Sequence, residues 1–147
     1  MNDTAVKAPW HLWAVGVIAV LFNAIGVFDF VMSMAQGPAY LASAGMTPQQ
    51  IAHYANMPVW MIGVWALGVF GAFLASFLLL LRRRTAFVAF IVSTAAFLMS
   101  LVYTYLLSGD GAVMGQQMAM TSAVIAVLLA LFCLYAYATG RRPGLLR

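Results

Sequence analysis

The sequence predicts an all-α membrane protein: a bundle of four transmembrane helices, arranged as two tandem hairpins, with a short interfacial helix in the first outer loop. Three observations predict it. Apolar residues make up 65% of the chain and charged residues only 7%, against roughly a quarter charged in a soluble domain. There is no glutamate, and the acids are Asp3, Asp29 and Asp110 alone, too few to cover a surface that faces water. Four apolar stretches nearly exhaust the 147 residues, each long enough for the ~20 residues that cross a hydrocarbon core of roughly 30 Å.

The first stretch runs over 10–34. At 1.5 Å per residue it is about 37 Å long, more than the core requires, so it must tilt or protrude. Pro9 suits a first helical turn, and Trp10, His11 and Trp13 form the amphipathic cluster expected at headgroup level. With Lys7 before it and Ser33-Met34-Ala35 at its end, this stretch has features of a signal peptide. It is too long for an h-region, however, and is expected to be kept as the first span.

Gly37-Pro38 breaks that helix and opens an extramembrane connection. Within it, Thr47-Pro48-Gln49-Gln50 reads as a helix start. Thr47 is the N-cap, Pro48 the first helical residue, and Gln50 closes a capping box. The expected product is a short surface helix over 47–56. The second span covers 58–81 and stops at Arg82-Arg83-Arg84; the third covers 85–107 and stops at Ser108-Gly109-Asp110-Gly111. A fourth over 118–137 precedes Gly140-Arg141-Arg142-Pro143.

Lysine and arginine in short loops mark the cytoplasmic side. Lys7, Arg82, Arg83, Arg84, Arg141, Arg142 and Arg147 all fall on one side of a four-span topology, and the other side has none. Both termini are therefore expected in the cytoplasm, and adding or removing one span would destroy the agreement.

Two polar side chains stand inside the first span. Asn23 lies about 15 Å from Trp13, near the midplane, where its amide must find partners because lipid offers none. It either bonds to a neighbouring helix or contacts a solute. Asp29 lies roughly 24 Å from Trp13, close to the outer boundary. It either reaches headgroup water and hydrogen bonds from the outer connection, or forms a proton or cation site near the outer mouth. Six residues rotate a helix by about 240°, so Asn23 and Asp29 do not share a face.

The second span carries Gly63, Gly68, Gly71, Ala72, Ala75 and Ser76, and the third carries Ala89, Ser93, Ala96 and Ser100. Small residues at such spacing let helices approach closely where no hydrophobic force drives them together. The two stripes are expected to face each other, with a homo-oligomer face as the alternative use of the first.

Function classes narrow by subtraction. Basic residues clustered at helix ends, without a basic face or aromatic platform, argue against nucleic acid. Cys133 is the only cysteine, and His11 and His53 fall on opposite sides of the membrane, so the sequence predicts no metal site and no cofactor. A nucleophile with its base, or a carboxylate pair, needs residues this chain mostly lacks, so no catalytic residue is expected. Tyr103 and Tyr105 at one end and Tyr135 and Tyr137 at the other match aromatic belts.

The pattern Trp10-x-x-Trp13, Asn23-x-x-Gly26-x-x-Asp29, then Met57-Pro58-x-Trp60 and a glycine-rich run into a basic turn resembles a group of small four-helix bacterial inner-membrane proteins, often labelled sugar transporters. The resemblance implies the topology and a bacterial inner-membrane location more than an activity. Two function classes remain. One is a non-catalytic accessory or structural protein, partnered by the bilayer and by itself or a larger membrane complex. The other is a small-solute or ion transporter with Asn23 and Asp29 near its path. Four helices hardly enclose a sugar-sized cavity, so transport would require an oligomer.

Overall fold

Pro9, extended at φ −67°, sets the chain direction for the first helix, and Leu12 N–H closes the first turn on its carbonyl. The computed structural model describes residues 6–147, so Asp3 lies outside the described residues. Helix α1 spans Trp10–Gln36, two residues beyond the expected end. Gly37 stops it at φ 53° while donating its N–H to Ser33 O.

Pro38 then occupies the first turn of a six-residue helix α2, Pro38–Ser43, where the sequence suggested only an irregular connection. A proline lacks the N–H that a first turn does not use, so Gly-Pro ends one helix and begins another. Helix α3, Pro48–Ala55, carries the expected capping box: Gln50 N–H donates to Thr47 Oγ1 at 3.3 Å, and Thr47 N–H to Gln50 Oε1 at 3.0 Å.

Helix α4 is Val59–Leu80, and α5 is Thr85–Val102 extended by a π-turn over Tyr103–Leu107. That turn closes when Ser108 N–H reaches back five residues to Tyr103 O at 2.8 Å. Helix α6 runs Gly111–Gly140 and starts well before the expected Met118. Its first turn breaks at Gly115, at φ 73° and ψ 173°, a region essentially reserved for glycine. The four-residue lead-in therefore bends away from the apolar run that the sequence signals.

Among the described residues there is no strand, and four helices are long and apolar enough to cross a membrane. They run alternately up and down. One end of the bundle holds the starts of α1 and α5, the ends of α4 and α6, and the arginine turn; we call it the arginine end. Helix α4 packs on both α1 and α5, α6 packs on α5, and Phe22 brings α1 back to Phe132 of α6 at 6.1 Å between ring centroids. The core, built on Leu12, Ala19, Leu79, Phe90 and Phe132, lies toward the arginine end. The outward faces stay apolar, with Ile25 68%, Leu74 57% and Leu134 63% exposed, as spans that meet lipid require.

The small residues divide unequally. A Cβ on Gly68 would sit 3.6 Å from that of Ala96, and one on Gly71 would sit 3.4 Å from that of Ser93; Ser93 Oγ–H also donates across the seam to Gly68 O. Ala72 and Ala75 are buried. Ser100 is half-buried and bonds only to Phe97 O of its own helix. Gly63 corrects the packing expectation: it is exposed, with nothing within 4 Å of its Cβ position. The tightest approach is at Gly16 of α1, where an added Cβ would fall 2.3 Å from Leu80 Cδ2.

Candidate functional site

Asn23 is 6% exposed and Ser76 fully buried. The amide spends both its N–H groups, one on Ala19 O at 2.8 Å and one on Ser76 Oγ at 2.9 Å. Ser76 passes its own hydrogen to Ala72 O at 2.8 Å. One polar bridge thus ties α1 to α4 near the middle of α1, and Asn23 lines neither of the two hollows described below. Asn23→Ala is expected to cost about 0.6 to 1.7 kcal/mol, the range for such membrane bonds, since Ser76 keeps its bond to Ala72. Helicity followed through a detergent-denaturation titration checks it; a cost above ~3 kcal/mol would show that Asn23 does more than bridge two helices.

A second set of polar groups gathers at the end away from the arginines. Asp29, half-buried, accepts from Tyr40 Oη–H of α2 at 2.9 Å. That hydrogen bond, with burial and the aspartate charge behind it, holds the Tyr40 phenol above its ordinary value. Helix α3 is pinned to the start of α6 by two contacts: His53 Nδ1 lies 2.7 Å from Asp110 Oδ2, and Gln50 Nε2 donates to Val113 O at 3.2 Å and Met114 O at 2.9 Å. The His53 side chain is 2% exposed and that of Asp110 41%, so the imidazole is enclosed while the carboxylate keeps water. Tyr54 and Tyr103 flank His53 at 5.5 and 5.8 Å between centroids.

Tyr54 also meets Trp65 at 5.6 Å. Burial, then the charges of Asp29 and Tyr105, push its phenol from 10.0 up to about 12. The folded state therefore holds this proton more tightly than the unfolded chain does. Its contribution is complete below pH 10 and is lost as pH rises from there towards 12, by ~2–3 kcal/mol in all. Absorbance titration of the wild type minus Tyr54→Phe is expected to show one phenol ionising near pH 12; ionisation near pH 10 would contradict the burial.

Beside Tyr54, a hollow of about 170 Å³ opens between α1, α2, α3 and α4, and Ser33 Oγ on its wall is buried without a hydrogen-bond partner. Among the described residues no three His, Cys, Asp or Glu side chains converge as a metal would need, and His11 sits at the arginine end, bonded to Tyr135 Oη.

The arginine end is more than a topology signal. Arg82 adopts φ 59° and clasps both chain ends: Nε donates to Leu145 O at 2.8 Å, and Nη2 to Val6 O at 2.9 Å and Gly144 O at 3.0 Å. Arg84 Nε donates to Leu146 O at 3.2 Å, and the backbones of Arg82, Arg84 and Arg147 pair. Arg83 and Arg142 are exposed, and Arg141 stacks over the Tyr137 ring at 5.5 Å.

Of the two polar residues the sequence singled out, Asn23 lies inside the helix bundle and Asp29 nearer the far end of α1, bonded to Tyr40 of α2, and the structure does not bring them together. His53 with Asp110, Gln50 with α6, and Gly16 were missed. The first pair had a usable signal: four spans place the first and third connections on the same side, and each holds one group able to carry charge. Comparisons with protein-family profiles, curated proteins and solved structures yield no match.

Proposed function

We propose that this chain is a non-catalytic integral protein of the bacterial inner membrane, an accessory or structural subunit that packs with itself or with a larger membrane complex. The observation that carries the reading is the Asn23–Ser76 bridge, which spends the midplane amide on helix association. A solute path would need that amide free, or a cavity beside it.

The positive-inside rule sets the orientation. Both termini and the arginine turn face the cytoplasm, and the two hairpins stand in tandem. Helix α3 lies along the outer surface, held there by Gln50 and His53. This outer cap fastens the first hairpin to the second.

A second reading, transport of a small solute or ion by an oligomer, draws on Asp29, half-buried at the outer end of α1 with Tyr40 as its hydrogen-bond donor. Flux in proteoliposomes under an imposed pH gradient separates the two. The accessory reading expects no flux above protein-free liposomes for sugars, protons and common ions. Flux that is lost in Asn23→Ala or Asp29→Asn while the variant stays folded would overturn it in favour of transport.

A further inference from the structure

Charge is segregated along this bundle. Every described lysine and arginine lies at the arginine end, and both described acidic side chains, Asp29 and Asp110, lie at the other. Among the described residues, the arginine end therefore carries cationic side chains with no acidic side chain beside them, at the depth where the spans leave the apolar core. A hollow of about 220 Å³ opens there between α5 and α6, lined by Arg84, Phe87, Ala136, Tyr137, Gly140 and Arg141.

The two guanidinium groups are incompletely used. Arg84 commits its Nε to Leu146 O, and Arg141 commits Nη1 to Tyr137 Oη at 3.3 Å. Neither forms an ion pair with a carboxylate among the described residues. Phe87 and Tyr137 stack at 5.3 Å between centroids, giving an apolar wall below two cations. The chemistry that fits is a phosphodiester with hydrocarbon attached: guanidinium forks match phosphate oxygens, and an acyl chain matches the aromatic wall.

We propose that this hollow is a binding site for one anionic phospholipid of the bilayer, with its phosphate between Arg84 and Arg141 and the start of an acyl chain along Phe87 and Tyr137. The site needs only that the spans cross a membrane, and so holds whether the chain is an accessory or a transporter. Basic pockets between helix ends are a known form of headgroup recognition, distinct from the diffuse attraction of an exposed polybasic segment. The hollow makes that distinction testable, because Arg142 is exposed, adjacent in sequence and outside the lining.

The test is native mass spectrometry of the full chain released from neutral detergent with added phosphatidylglycerol, phosphatidylcholine or inorganic phosphate. One phosphatidylglycerol is expected to be retained about tenfold more tightly than phosphatidylcholine, a difference of ~1.4 kcal/mol. Arg141→Gln is expected to remove most of that preference, and Arg142→Gln to leave it. Arg84→Gln should act like Arg141→Gln but also loosens the Leu146 contact, so Arg141→Gln, checked for unchanged helicity, decides. Equal retention of the two lipids, or equal loss in Arg141→Gln and Arg142→Gln, would overturn the proposal. So would displacement of the lipid by inorganic phosphate at comparable concentration, which would mark a free-anion site.

Discussion

Gly16→Leu is expected to destabilise the bundle by about 3 kcal/mol or more, while Gly63→Leu leaves it nearly unchanged. At Gly16 an added Cβ would fall 2.3 Å from Leu80 Cδ2 and 2.8 Å from Leu80 Cγ. The methyl can swing aside by rotation about Cβ–Cγ, but Cγ clears the contact only if Leu80 changes its χ1 rotamer or α4 shifts. Overpacking of this kind costs ~1–3 kcal/mol before the rest of a leucine side chain is placed. Alanine is a closer contest, since it regains up to ~1 kcal/mol of helix propensity over glycine, so Gly16→Ala should be only mildly destabilising. Gly63 is exposed with no neighbour within 4 Å of its Cβ position. Denaturation in mixed micelles, followed by far-UV circular dichroism, ranks the three; a Gly63→Leu effect as large as that of Gly16→Leu would place the helix seam elsewhere.

Arg82→Ala is expected to release the carboxy-terminal segment and cost ~2–4 kcal/mol. Hydrogen bonds to charged groups contribute about 1.5–3 kcal/mol each at best, and two of the three made by Arg82 are exposed, which puts the sum at the low end. The larger consequence is local. Leu145 and Leu146, 2% and 1% exposed, are held under the arginine turn by carbonyls that Arg82 and Arg84 bind. Alanine keeps the strained φ of 59° and loses the clasp; Arg82→Gly loses the same clasp but adopts that φ freely, so it should cost roughly 1 kcal/mol less with the same release. Hydrogen exchange at residues 144–147 is the readout. Protection that survives Arg82→Gly would mean that the buried leucines, with the Arg84 and backbone hydrogen bonds, hold the segment without the clasp.

These two sites show how much of the structure was legible in the chain. The spans were, because four apolar runs and one-sided basic charge leave little choice of topology, and the Thr47–Gln50 box was, because capping is local chemistry. Gly16 was not, because a close approach depends on where a leucine 64 positions later lands. Gly63 meets no neighbour within the chain for the same reason: small-residue spacing marks a face able to pack without saying which neighbour it meets. Asn23 was legible as a group needing a partner, and Ser76 as that partner was not, since α4 offers several small polar or glycine positions. The arginine triplet read only as charge, because its hydrogen bonds reach carbonyls, which every residue has.

The claim that bears most on function is that no aqueous path reaches Asn23. Its most direct test is thiol accessibility of Asn23→Cys in a Cys133→Ser background, in liposomes, with a small charged maleimide applied from each side and Asp29→Cys as the reference. The closed bridge predicts labelling of the reference from its own side and none at position 23 from either side until the protein is denatured. Labelling at position 23 in the folded protein from either face would contradict the account, because it would require a water-filled route to the centre of the bundle.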